Sequence, residues 1–185
     1  MKKPDYRSVA YSRTTITELM IPAYANFGGK IHGGTILSLM DKVAYTCAAK
    51  HSGGYCVTAS MNVVDFLAPV EVGNLVHLHG SVTYVGKSSM VIGIKVESED
   101  IHTGEKTHTN SSYMTMVAVD DNKKARPIPG LILENKHDAK RFLEAIKRKE
   151  LVNVYRKESE KIGAHLEVSD EIDRLESENC LVIDL

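Results

Sequence analysis

The sequence predicts an α+β fold in which an antiparallel β-sheet wraps around one long central helix, with a helical C-terminal appendage. Three observations carry this expectation. Residues 34–50, GTILSLMDKVAYTCAAK, are apolar around most of a helical circumference, which is the pattern of a helix held inside a core. Strand-like segments follow at roughly 55–68, 73–86, 88–99 and 107–120, with the period-2 alternation of half-buried strands. Charge then rises sharply: residues 134–185 hold 23 charged side chains, against 24 in the preceding 133 residues, so the tail cannot share the burial of the body.

Within the helix, Ile36, Met40, Val43, Ala44 and Cys47 recur at helical spacing, and Leu37, Leu39 and Ala48 widen the apolar face. Such a helix needs a curved sheet around it, and a further strand is expected ahead of it at about residues 9–20. In NLVHLHGSVTYV, Val76, Leu78, Gly80, Val82 and Tyr84 alternate with His77, His79, Ser81 and Thr83. Short turns at Gly86-Lys87 and around Gly104 predict that consecutive strands pair antiparallel, as hairpins or a meander. Pro127, Pro129 and Gly130 then punctuate the chain. The expected division is a body of residues 1–133 and a charged, mainly helical extension of residues 134–185, with its helix near 138–161 and a loose end from 167.

With 185 residues and 43% hydrophobic content, the chain can fill one core. It lacks the roughly 18–20 continuous apolar residues of a membrane span. The start, MKKPDYRSVAYSRTT, has lysines with no apolar stretch behind them, so a secretory signal is not expected and a cytoplasmic location is. A net charge of -1 gives no global field for nucleic acid, so an anionic ligand must be held locally. Cys47, Cys56 and Cys180 show no CxxC spacing, which points away from disulfides and zinc. His77 and His79 form an HxH pair without a carboxylate or cysteine at matching spacing, so no metal is expected. Serine-nucleophile and phosphate-loop motifs are absent.

Two features can carry chemistry. His32-Gly33-Gly34-Thr35 leads into a helix N-terminus, whose first amides have no intrahelical partner. It reads either as an oxyanion hole or as glycines that merely permit a tight turn against the sheet. Asp41 lies two turns further on, about 10 Å along the axis from Gly34. A carboxylate on an apolar helix is either functional or paired with Lys42, Lys30 or a neighbouring subunit.

Taken together, the stretch from Asn26 through FGGKIHGG to TILSLMD, ending at Asp41, then VTASMNVVDFLAPVEVGNLV, YVGKSSMVIGIKV and SYMTMVAVDDNKKARPIPGL resemble the hotdog-fold acyl-CoA thioesterases of the cytosolic acyl-CoA hydrolase branch. The resemblance covers about residues 10–133. It implies a sheet curled around one helix, protomers paired into homodimers and often trimers of dimers, and hydrolysis of acyl-CoA to free CoA and a carboxylic acid. It implies no metal or cofactor, CoA being part of the substrate. Carried onto this sequence, the catalytic positions are Asp41 and, across the dimer interface, Asn26, with the Gly33 and Gly34 amides at the thioester oxygen. Gly86, Lys87, Ser88 and Ser89 match the turn that meets CoA, with lysine standing where many relatives have arginine. His32, Thr58 and Ser60 are further polar candidates. The rival reading is a non-catalytic acyl-CoA sensor, which needs neither Asp41 nor Asn26.

Overall fold

The computed structural model describes residues 5–165, 167–175, 177–181 and 183. The outer limits of the two expected segments, residues 1–4 and 184–185, lie outside the described residues. In chain order the elements are β1 (Tyr6–Ser8), α1 (Val9–Ser12), β2 (Thr14–Leu19), a 3-10 turn (Pro22–Tyr24), α2 (Gly33–Ser52), β3 (Cys56–Met61), β4 (Leu75–Val85), β5 (Ser89–Glu99), β6 (Lys106–Ala118), β7 (Gly130–Ile132), α3 (Lys136–His165) and α4 (Val168–Leu175). The chain divides into two compact units within α3, Met1–Ala145 and Ile146–Leu185.

Five strands form one antiparallel sheet in the order β2-β4-β5-β6-β3. The meander expected from the turns is present as β4-β5-β6, while β3 crosses to the far edge and pairs with β6. The strand expected at 9–20 is shorter: α1 occupies its beginning. Its turn closes because the Ser8 hydroxyl accepts the Tyr11 amide, and the buried Ser12 hydroxyl donates to Val9 O and accepts the Val82 amide. Pro127 and Pro129 lead into β7, which pairs parallel with β1. That short pairing has no periodic signal in the sequence.

Helix α2 packs on the inner face of the sheet. Ile36, Met40, Val43, Ala44 and Cys47 meet Leu78, Val82, Met90, Ile92, Met114 and Met116 in one core. The approach is close enough that a Cβ at Gly80 would lie 2.9 Å from Cys47 Sγ. The helix stops at Gly53, whose φ of 73° is a left-handed conformation that glycine adopts without steric cost. Its last carbonyls, which have no partner within the helix, draw cations: Arg7 Nη1 donates to the Lys50 and His51 carbonyls, and Arg126 Nη2 to that of Ser52. Burial pushes the Cys47 and Cys56 thiols up from their ordinary values, and both are free.

One expectation changes here. In the chain the helix is not covered all round, because Gly34, Ser38, Asp41 and Tyr45 form an exposed stripe at spacings of three and four residues. Asp41 therefore pays no burial cost within a single chain.

Each of three strand pairings contains a register shift: between Thr58 and Ser60 in β3, between Val82 and Tyr84 in β4, and opposite Val96-Glu97 where β5 meets β6. An extra residue in one strand reverses the side-chain parity beyond it. Tyr84, expected beside Val82, pairs with Val91 and faces away from the core, while Val85 pairs with the buried Met90.

Helix α3 begins with a reciprocal cap. Asn135 Oδ1 accepts the Asp138 amide while Asp138 Oδ2 accepts from Asn135 Nδ2 and the Glu134 amide, satisfying donors that the first turn leaves open. In the second unit, the remainder of α3 carries exposed Leu151, Val154, Tyr155 and Ile162. Helix α4 forms inside the stretch from residue 167 that the sequence left as a loose end. No described helix is long and apolar enough to cross a membrane.

Candidate active site

Asp41 sits on the exposed stripe of α2, where β3 passes it. Thr58 Oγ1 donates to Asp41 Oδ1 at 2.6 Å, a length typical of a hydroxyl bonded to a charged carboxylate. The same hydroxyl lies 3.4 Å from Met116 Sδ, a far weaker acceptor, so its hydrogen belongs to Asp41. Within the chain, the ion pairs of Asp41 with Lys42 and Lys30 do not form: Lys30 pairs with Glu71, and Asp41 meets no cation among the described residues. The carboxylate is thus oriented by one neutral donor and otherwise open.

Ser60 separates from Thr58. Thr58 pairs with Met116, whose side chain is in the core, whereas the shift at Ala59 pairs Ser60 with Thr115 on the opposite face. Only Thr58 reaches α2.

His32 is the N-cap of α2, and its Nδ1 accepts the Gly34 amide at 2.9 Å. That bond fixes the tautomer, with hydrogen on Nε2. It also occupies the Gly34 N–H, so of the two amides expected to face a thioester oxygen, Gly33's is the one outside the cap. The Phe66 ring lies over Gly33, 3.1 Å from where a Cβ would stand. Asn26 lies on the loop before the helix, and its Oδ1 accepts the Gly28 and Lys30 amides. Its carboxamide oxygen is thereby held within its own turn, and the amide nitrogen is the group left for a ligand.

The Gly86–Ser89 turn joins β4 to β5. Gly86 N–H donates to Ser89 O at 2.7 Å, so this amide closes the turn and is not a donor for a ligand. From behind, Ile128 N–H donates to Lys87 O and Ala118 N–H to Ser88 O. The Lys87 ammonium is exposed and forms no ion pair among the described residues. The strand register sets Ser89 opposite Val117, and Val117 opposite Val57. The turn is therefore at the same end of the sheet as Thr58, about 10 Å away across two strand spacings.

His77 and His79 bridge strands on the outer face: each Nδ1 meets a threonine hydroxyl, Thr17 and Thr15, and each Nε2 a carboxylate, Glu99 and Glu97. They are cross-strand ties. Among the described residues no group of three or more His, Cys, Asp or Glu could hold a metal ion.

Residues 28–105 match the thioesterase superfamily model. Protein VdlD of Helicobacter pylori (strain ATCC 700392 / 26695) is 44% identical over 140 residues, covering 76% of this chain and 80% of that protein. The uncharacterized acyl-CoA thioester hydrolase YkhA of Bacillus subtilis (strain 168) is 35% identical over 148 residues, covering 80% and 86%. The chain belongs to the hotdog-fold acyl-CoA thioesterase family. Among solved structures, an apo-hexameric acyl-CoA thioesterase superposes with a TM-score of 0.79 at 36% identity, covering 82% of this chain and 97% of that one. The acyl-CoA hydrolase of Staphylococcus aureus, solved with butyryl-CoA, CoA and CoA disulfide, gives 0.77 at 30% identity, covering 84% and 95%. That hydrolase has also been solved with an asparagine, an aspartate and a threonine each replaced by alanine, at successive separations of 15 and 17 residues. Asn26, Asp41 and Thr58 have the same separations.

Proposed function

We propose that this protein hydrolyses acyl-CoA thioesters to free CoA and a carboxylic acid, with Asp41 as general base or nucleophile. The observation that carries this reading is the 2.6 Å bond from Thr58 to an exposed carboxylate that has no other partner among the described residues. A sensor module has no use for a carboxylate oriented in this way and left open to reactants.

As general base, Asp41 takes a proton from water as the water oxygen adds to the thioester carbon. As nucleophile, it forms an anhydride that water then opens. Thr58 holds Asp41 Oδ1 in either case and leaves Oδ2 for the reaction. The Gly33 amide polarises the thioester carbonyl and stabilises the oxyanion, and the Asn26 amide nitrogen orients water or substrate. Collapse of the tetrahedral species expels the CoA thiolate, which takes up the proton. The reaction draws on water and protein groups alone.

These groups are spread over two chains in this reading. Gly33 and Asp41 are eight residues apart on one helix, about 12 Å along its axis, and reacting atoms must approach to about 3–3.5 Å. One chain therefore cannot apply both to the same carbon. A second copy supplies the missing half. Support comes from the open edge of β3 and from apolar side chains left uncovered near it, among them Val63 at 80% and Phe66 at 52% exposure, with Phe27 fully exposed. The hexameric relative supports assembly of such dimers in threes. Lys87, with Ser88 and Ser89, takes a CoA phosphate as a point charge rather than a bidentate clamp. A cytoplasmic location accords with this substrate.

The test is CoA release from short- to long-chain acyl-CoA thioesters by the wild type and by Asp41→Ala, with the oligomeric mass of each checked. Activity that collapses in the variant while assembly survives supports the reading. Binding without hydrolysis by the wild type favours the sensor, and a fully active variant removes Asp41 from the mechanism.

A further inference from the structure

The start of α3 lies on the outer face of the sheet, opposite α2, and grips β4 on both sides of its register shift. Arg141 Nη1 donates to Ser81 Oγ at 3.0 Å. Its guanidinium lies over Gly93, where a Cβ would come within 2.6 Å of Nη2. One residue on, the Phe142 ring packs against Tyr84, with centroids 5.0 Å apart and planes at 46°, a tilted aromatic contact within the favourable range. Without the extra residue in β4, Tyr84 would point into the core and Phe142 would have no ring to meet.

Tyr84 leads directly to the turn. Its Cε1 lies 3.8 Å from where a Cβ of Gly86 would stand, so the ring rests against the residue that opens the turn. Gly86 and Ser89 close it, and the amides of Ile128 and Ala118 hold the Lys87 and Ser88 carbonyls from behind. The backbone carrying Lys87 is thus held by hydrogen bonds from Ile128 and Ala118, and the Tyr84 ring that faces Gly86 is itself packed by Phe142. Asp41 and Thr58 are on different elements and take no part in this contact.

We infer that Phe142, braced by Arg141, is a positioning residue for the CoA-binding turn, acting through Tyr84 to fix where the Lys87 ammonium is presented. This rests on the reading of Lys87 as a CoA phosphate ligand. The first turns of the extension then serve substrate affinity rather than chemistry. A side chain that acts only by placing a group that binds substrate and transition state equally should alter KM and leave kcat in place.

Steady-state kinetics on acyl-CoA with Phe142→Ala, Phe142→Tyr, Lys87→Ala and the Phe142→Ala/Lys87→Ala double variant tests it, with thermal unfolding and oligomeric mass as controls. The expected result is a KM about tenfold higher for Phe142→Ala with kcat within about twofold of wild type, and recovery in Phe142→Tyr, which keeps the ring. The double variant should be little worse than Lys87→Ala alone, because coupled residues are not additive. Should Lys87→Ala raise KM while Phe142→Ala does not, the inference fails and the CoA reading of the turn stands. Should Lys87→Ala leave KM unchanged, both fail. A Phe142→Ala protein that loses kcat and stability together, without recovery in Phe142→Tyr, overturns the positioning role in favour of a purely structural one.

Discussion

Thr58 Oγ1 donates to Asp41 Oδ1 at 2.6 Å, joining the edge strand β3 to the exposed stripe of α2. Because a threonine hydroxyl has one hydrogen, this bond commits it and fixes which carboxylate oxygen faces the reactants. Replacing Thr58 by valine keeps the shape and removes the donor. The expected outcome is a fall in kcat of about 10²-fold, the lower end of what a positioned acid-base group contributes, with KM little changed. Thr58→Ser should recover most of the loss. A Thr58→Val enzyme with wild-type kcat would mean the bond is incidental.

The pairing of Thr58 with Asp41 marks the limit of what the sequence makes legible. The apolar spacing of α2 and the alternation of β4 to β6 rest on local periodicity, the motifs from Asn26 to Lys87 carry a family resemblance, and the fold follows from the two together. Parity beyond a register shift does not. Thr58 and Ser60 are two residues apart, a spacing that puts both on one face of a regular strand, yet the shift at Ala59 leaves only Thr58 of the two facing α2. Tyr84 reads as a core residue for the same reason, until the shift in β4 turns it outward. The sequence contains no glycine or proline at Ala59 or Thr83 to announce either shift. The exposure of Asp41 is equally hidden, since an apolar helix in a sequence does not disclose which stripe a single chain leaves uncovered.

The His32 cap offers a second prediction. A Cβ at position 34 would stand 2.8 Å from the His32 ring, so Gly34→Ala must displace the imidazole and break its bond to the residue 34 amide. Loss of an N-cap costs about 1 kcal/mol, or roughly 2–4 °C in Tm for a chain of this size. Because alanine also gains about 0.4–1 kcal/mol over glycine within a helix, differential scanning calorimetry should seek the full decrease in His32→Ala, which removes the acceptor itself, and an unchanged Tm there would contradict the cap.

His51 gives a pH signature. It is buried on α2, its Nε2 bonds to Pro129 O, and its Nδ1 has no partner among the described residues. Burial holds its pKa below the ordinary imidazole value. The unfolded chain therefore takes the proton first as pH falls. The stability that the neutral ring contributes is complete above about pH 6.5, the unperturbed value, and is lost as pH drops from there through the folded-state pKa. Urea unfolding midpoints at pH 7.5 and 5.5 should differ more in the wild type than in His51→Gln. Equal differences would show that His51 does not titrate on unfolding in this range.

The most direct measurement is complementation between two defective chains. Asp41→Ala and Asn26→Ala, each inactive alone, should regain activity when co-refolded in equal amounts. A mixed dimer then holds one site with both defects and one with neither, so random pairing restores about a quarter of the wild-type specific activity. Recovery of that order is the result expected if Asp41 of one copy works with Asn26 and Gly33 of another. A mixture that assembles normally and remains as inactive as its components would contradict a site shared between chains.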